Sequence, residues 1–242
     1  MSGPALRQPP VGGARRPWQH CRVVAVRPET PHARTLRLAL PVWNPHAPGQ
    51  HYVVRLTAPD GYRAERSYSV ASPPEDAGHI ELTVERLADG EVSPHLHDAV
   101  EVGDELEVRG PFGGWFVWDG ARPAVLVGGG SGVVPLMAML RSRRARGLGV
   151  PLRMVVSARS LEDLLYRDEY GEETTVVLTR AVPAGWPRPP GRLSAADLAL
   201  ALLPGATVYV CGSAGFAGTA ERLLAGLGVA PGDVRVERFG PS

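Results

Sequence analysis

Ala124-Val125-Leu126-Val127-Gly128-Gly129-Gly130-Ser131-Gly132-Val133-Val134-Pro135 opens as an apolar run, breaks into glycine, and resumes with hydrophobic residues at helical spacing. Four consecutive apolar residues bounded by turn formers read as a strand buried on both faces. Val133, Leu136, Met137 and Leu140 then recur with the period of a helix. The glycines therefore sit at a strand-to-helix turn. There they let a pyrophosphate approach the backbone, and the helix amino terminus offers free amides and the positive end of a dipole. The same glycines also suit a tight turn between packed elements, so the motif draws its weight from its surroundings.

Downstream the alternation continues, with strands expected at 152–156, 174–179, 206–210 and 234–237 and a helix from about Phe216 to Leu227. Such a pattern predicts a parallel sheet covered by helices on both faces, with ligands at the carboxyl ends of its strands. The second strand ends in Ser157-Ala158-Arg159-Ser160, hydroxyls and a cation where an NAD site often places a carboxylate; a 2′-phosphate would want that set. Arg180, after the third strand, would back up Arg159. Glu162 and Asp163 read either as ribose ligands or as first-turn acids of a helix. Cys211, at the end of the fourth strand, reads as a small lining residue in preference to a nucleophile. The run Arg141-Ser142-Arg143-Arg144-Ala145-Arg146 complements a helix dipole, with docking of an acidic electron carrier as the alternative.

Upstream, short β-branched or alternating runs at 21–27, 33–40, 50–57, 65–71, 79–86 and 104–109 predict a six-stranded antiparallel barrel. A short helix over Ser93–Val100 would have Ser93 as N-cap and Pro94 at its first position. Arg66-Ser67-Tyr68-Ser69-Val70-Ala71-Ser72 places a cation, an aromatic ring and hydroxyls along one strand, with Arg66, Tyr68 and Val70 on one face. The chain thus divides into a tail at 1–17, a barrel domain at 18–119 and an α/β domain at 120–242.

Composition narrows the chemistry. All 26 Lys+Arg residues are arginine, which removes the Walker phosphate loop and any Schiff-base lysine. Cys21 and Cys211 cannot supply a disulfide framework, a zinc site or an iron-sulfur cluster, and they fit a reducing, cytoplasmic setting. A net charge of +1 gives no drive toward nucleic acid or an acidic membrane surface. Arg15-Arg16 is followed by Pro17-Trp18-Gln19-His20, with no apolar segment of an export signal. His95 and His97 lack companions for a metal site.

The succession of Arg66-Ser67-Tyr68-Ser69, the glycine turn ending at Pro135, and Tyr209-Val210-Cys211-Gly212 resembles the two-domain ferredoxin-NADP reductase family across residues 18–242. The resemblance implies that Arg66 pairs with a flavin diphosphate, Tyr68 lies against the isoalloxazine ring and Ser69 reaches toward flavin N5. It also implies that His51, Val53 and Val84-Glu85-Arg86-Leu87 line the flavin, and that Gly90-Glu91-Val92-Ser93 is a second phosphate turn, favouring FAD over FMN. Gly130 and Gly132 would face the nicotinamide nucleotide, NADP or else NAD, with Cys211 and Gly212 beside the nicotinamide; Glu237 and Phe239 would close the flavin side. Tyr68, Ser69, Cys211 and Glu237 would then surround the reaction, hydride transfer from nicotinamide C4 to flavin N5. Two departures stand out: Ser213 replaces a common proline, and the chain runs past Phe239 instead of ending on tyrosine. The implied partner of this monomer is a separate ferredoxin or oxygenase component. The alternatives are a small acceptor, such as a ferric siderophore or free flavin, or a non-catalytic nucleotide-binding subunit.

Overall fold

The computed structural model describes residues 16–240, so the expected tail falls almost entirely outside the described residues. The first six strands are β1 (Gln19–Thr30), β2 (Ala33–Ala39), β3 (His51–Thr57), β4 (Arg63–Ser69), β5 (His79–Glu85) and β6 (Glu105–Phe112). They form one antiparallel sheet in the order β4-β3-β6-β1-β2-β5. Alternation drives its curl: Leu36, Leu38, Ile80 and Leu82 turn into a common interior with Tyr52 and Val54. The sheet closes on itself at an isolated bridge between Val70 and Leu82, which leaves most of β4 with a free edge.

Thr35, Glu81 and Thr83 point to the opposite face of β2 and β5, yet they too are buried. The second unit covers them. Its strands β7 (Ala124–Gly129), β8 (Leu152–Ala158), β9 (Thr174–Leu178), β10 (Thr207–Ser213) and β11 (Val234–Phe239) make a parallel sheet ordered β11-β10-β7-β8-β9. Along β7, Ala124 and Leu126 enter the core on one face while Val125 and Val127 enter the other. The first core holds α2 (Val133–Ala145), and the second holds α3 (Ala195–Ala201) and α4 (Ala214–Gly226). The chain reverses direction across the sheet between β7 and β10, so the carboxyl ends of those strands form the crevice where α/β sheets bind ligands.

Two local readings give way to competing hydrogen bonds, and one helix was not expected. The helix α1 (Ser93–Asp98) is capped at Val92, because the Ser93 hydroxyl instead accepts from the Leu87 amide at 3.1 Å. No helix follows β8. The Ser160 hydroxyl binds Asp163 at 2.8 Å in a compact turn, and Tyr166 adopts a left-handed conformation (φ 56°) just before a single 3₁₀ turn at Arg167–Glu169. Asp163 is therefore a turn residue and not a helix-dipole partner. The helix α3 was not foreseen, although Ser194 and Asp197 form a complete capping box at its start.

Candidate functional site

Pairing with β3 sets Tyr68 beside Tyr52, Ser69 beside His51, Ser67 beside Val53 and Arg66 beside Val54. Tyr68 is half-buried on the barrel core, and burial pushes its phenol up to about 12, so it presents a neutral ring. Ser69 is 7% exposed. Burial also lowers the His51 imidazole, whose ring centroid lies 6.0 Å from that of Phe112. Arg66 remains half-exposed and donates to Glu91 at 3.0 Å, while the Tyr62 hydroxyl donates to the other oxygen of Glu91 at 3.2 Å. Beyond them Arg86 donates to Asp98 at 2.8 Å.

A free strand edge carrying a guanidinium, a neutral aromatic ring and a small hydroxyl fits a flavin dinucleotide: the cation suits the diphosphate and the ring suits stacking. A diphosphate binding at Arg66 would have to displace Glu91. Val84 and Val92, expected within a flavin-lining segment and a phosphate turn, turn their side chains inward. Both are fully buried in the barrel core and offer a ligand only their backbone.

The second cluster lies at the carboxyl ends of β7 and β10. Gly130 has φ 55° and open space where a side chain would stand. A methyl group on Gly132 would sit 2.1 Å from the Cys211 carbonyl oxygen, so only glycine permits this turn to press against the Cys211–Gly212 backbone. An exposed glycine with open space before it, at a helix amino terminus, fits a nucleotide pyrophosphate. Cys211 is fully buried beside Glu237, its register partner on β11, and burial first, then the Glu237 carboxylate, raises its thiol well above the ordinary value. It is held as a neutral thiol and not as a nucleophile. Burial alone lifts the Glu237 carboxyl to about 7. Phe239 pairs with Ser213, whose hydroxyl accepts from the Phe216 amide at 3.3 Å and caps α4. Serine thus has a structural task in the position where the resemblance led one to expect proline.

The two clusters converge. Ala71, two residues beyond Ser69, is packed in the same core as Val133 and Cys211. The Ala71 carbonyl accepts from Arg141 of α2 at 3.0 Å. A third cluster stands at the ends of β8 and β9: Ser157 is buried, whereas Arg159 and Arg180 are exposed neighbours, the Arg180 amide donating to the Arg159 carbonyl at 2.9 Å. Among the described residues neither guanidinium has a carboxylate partner.

Three participants escaped sequence reading. Phe216 lies over the backbone of both Gly129 and Gly212, 2.7 Å from where either would carry a Cβ; its only signal was its place at the start of a helix. Arg141, read only as a dipole partner in the basic run, meets Tyr166 between the two sheets, a contact with no local signal. The rest of the basic run is occupied internally: Arg143 by the Val150 carbonyl at 2.8 Å, Arg144 by Glu173 at 2.7 Å, Arg146 by the Asp119 carbonyl at 3.1 Å. Among the described residues no three His, Cys, Asp or Glu side chains gather as a metal site, and no helix is long and apolar enough to cross a membrane.

Residues 20–117 match the family described as oxidoreductase FAD-binding domain, and residues 126–222 that described as oxidoreductase NAD-binding domain. The chain is 30% identical over 234 residues to the ferredoxin–NAD(P)(+) reductase component of the naphthalene 1,2-dioxygenase/salicylate 5-hydroxylase systems of a Ralstonia species, covering 91% of this chain and 68% of that one. It is 34% identical over 150 residues to the reductase component of propane 2-monooxygenase from Mycolicibacterium goodii, covering 61% of this chain and 42% of that one. In several such relatives the chain spans 40% to 53% of the full length. The flavohem-like FAD/NAD-binding domain of nitric oxide dioxygenase from Vibrio cholerae O1 biovar El Tor superposes with a TM-score of 0.82 over 92% of this chain and 98% of that one. At 24% identity, that likeness is one of fold.

Proposed function

Because the chain belongs to the ferredoxin-reductase-like family of oxidoreductases that join an FAD-binding to an NAD-binding domain, we propose that it passes reducing equivalents from NADPH through FAD to a separate ferredoxin or oxygenase component. The observation that carries this reading is the convergence of the β4 strand end with the glycine turn in one core through Ala71, Val133 and Cys211. Convergence of that kind is what a hydride donor and its acceptor need, since proximity and orientation supply much of the rate.

When bound, FAD supplies the redox chemistry, accepting a hydride from the dihydronicotinamide and releasing electrons to the acceptor. The chain's own side chains position and exclude. Arg66 holds the diphosphate once Glu91 yields it, and the Ser93 turn contributes backbone amides. Tyr68 gives a neutral face to the ring system. Ser69 would offer a hydroxyl to the flavin ring system, and His51, Val53 and Arg86 would flank the bound flavin. Gly130, Gly132 and Gly212 give the nicotinamide nucleotide room at the backbone. Cys211, as a thiol, and Glu237 border the nicotinamide, and Phe239 shields the flavin from water. A carboxyl poised near neutrality holds or releases a proton at its own oxygen as charge develops nearby.

Preference for NADPH rests on Arg159 and Arg180, residues joined by a backbone hydrogen bond and, among the described residues, unpaired with any carboxylate, which suit a 2′-phosphate better than a bare ribose hydroxyl. The acceptor follows the reductase components among the relatives, which serve oxygenase and ferredoxin systems. Purified protein should be yellow, bleach anaerobically on adding NADPH, and then reduce a ferredoxin from a panel of acceptors faster than it reduces ferric chelates or free flavin. Protein that takes up FAD and stays oxidised with both nicotinamides overturns the reading.

A further inference from the structure

Arg141 belongs to α2, the helix that begins at the glycine turn, but its side chain is spent on the barrel. Only 13% of it is exposed. Its guanidinium donates to the Ala71 carbonyl at 3.0 Å and to Glu81 of β5 at 3.0 Å. On its other side Nε donates to Glu169 at 2.8 Å, and Nη2 pairs with the second oxygen of the same carboxylate. The cation also lies 4.9 Å from the ring centroid of Tyr166. Burial works against its charge, and the bonds and charges of Glu169 and Glu81 outweigh that, holding its pKa above the ordinary value.

Tyr166 completes the junction from the other direction. It is the one non-glycine residue with positive φ among the described residues, a strained conformation that persists where surroundings over-determine it. Its hydroxyl is bonded to Thr83 of β5, which shares a 2.7 Å hydrogen bond with Thr35 of β2. Glu81 receives further support from Arg27 and Arg37, each at 3.5 Å.

A buried ion pair adds little net stability over apolar packing, because desolvation offsets the Coulomb attraction; what it offers is registry. Apolar surfaces slide, whereas a guanidinium shared among a carbonyl and two carboxylates accepts one arrangement. This one ties the helix that follows Gly132 to a carbonyl two residues from Ser69. Hydride transfer is where such registry counts, since a 1 Å misplacement costs roughly 100-fold in rate.

We propose that Arg141, together with Glu81 and Tyr166, is a positioning device that sets the approach of the nicotinamide-binding turn to the flavin-binding strand. It governs the rate of hydride transfer without touching either cofactor. The inference rests on the reductase function proposed above and adds the residues that fix its geometry.

Anaerobic single-turnover reduction of the FAD-loaded protein by NADPH and by its 4-deuterated form separates binding from transfer. In Arg141→Ala the expected result is FAD content, oxidised flavin spectrum and nicotinamide Kd near those of the unaltered protein. The limiting reduction rate should fall about 10- to 100-fold, with a fully expressed deuterium isotope effect. Arg141→Lys and Tyr166→Phe perturb packing far less and carry the test if the alanine variant does not fold; each should show the same split, about threefold or more. A limiting rate unchanged in holoprotein lacking these contacts overturns the proposal. So does a fall in rate that merely tracks lost FAD or weaker nicotinamide binding. Failure of the unaltered protein to be reduced at all is a different outcome, sinking the reductase reading and this inference with it.

Discussion

Cys211 and Glu237 stand in register on the adjacent parallel strands β10 and β11, and each is protonated more readily there than in water. Burial is the leading cause for both. A carboxyl whose folded pKa lies above its unfolded value stabilises the fold below the unfolded value, and that contribution is lost as pH climbs through about 7. Glu237→Gln is neutral at every pH. It should melt close to the unaltered protein at about pH 5 and above it at about pH 8, by on the order of 1 kcal/mol once solvent screening is allowed for. Melting curves that differ equally at the two pH values count against a carboxyl titrating near neutrality.

Arg66 and Glu91 satisfy one another at 3.0 Å, both about half exposed, so a diphosphate arriving at Arg66 competes with a carboxylate. Arg66→Ala should weaken FAD retention by about 10-fold or more, the loss of a charge-assisted hydrogen bond. Glu91→Gln should act in the opposite direction, leaving Arg66 free and removing a negative charge. Flavin fluorescence on dilution of the holoprotein reads both, and weaker retention in Glu91→Gln would show that the carboxylate orients Arg66 for the flavin.

Arg159 and Arg180 are brought together by the pairing of β8 with β9. If they read a 2′-phosphate, replacing either by alanine should raise KM for NADPH about 10-fold and leave KM for NADH within about twofold. Parallel rises for the two nicotinamides would assign the arginines to the shared diphosphate.

Period and alternation made the two sheets legible, because they arise from burial that each strand or helix imposes on its own sequence: Val133 to Leu140 show a helix, and Ala124 to Val127 a two-sided strand. Competing local bonds hid the remainder. Glu162 and Asp163 could be read as ribose ligands or as the first-turn acids of a helix, and the Ser160 hydroxyl instead takes Asp163 into a turn. Ser93 looked like a cap until the Leu87 amide took its oxygen. Arg141 was the hardest to read. From the sequence it is a dipole partner at the end of its helix, while its actual partners lie 28, 60 and 70 positions away. Arg66, Tyr68 and the glycine turn could be proposed as a set from the sequence because phosphate and ring contacts demand particular residue types. The inward turn of the Val84 and Val92 side chains was not read, because neighbouring residues on a strand or turn do not share a face.

The glycine turn offers a pair of substitutions that separates folding from binding. A methyl group at position 132 would stand 2.1 Å from the Cys211 carbonyl oxygen and 2.6 Å from the Gly212 Cα, both backbone, so no side chain can swing aside to admit it. Gly132→Ala should therefore force β7 and β10 apart at their carboxyl ends, lowering stability by about 1–3 kcal/mol and abolishing reduction by nicotinamide. At position 130 the space is open, and the cost is that of a left-handed alanine, about 1 kcal/mol. Its methyl would lie on the surface a nucleotide has to approach. Gly130→Ala is expected to fold, to keep its FAD and to raise KM for NADPH several-fold with a much smaller change in melting temperature than Gly132→Ala. Thermal midpoints and initial rates on the two variants decide it: a Gly130→Ala protein with unaltered KM would move the nucleotide off this turn.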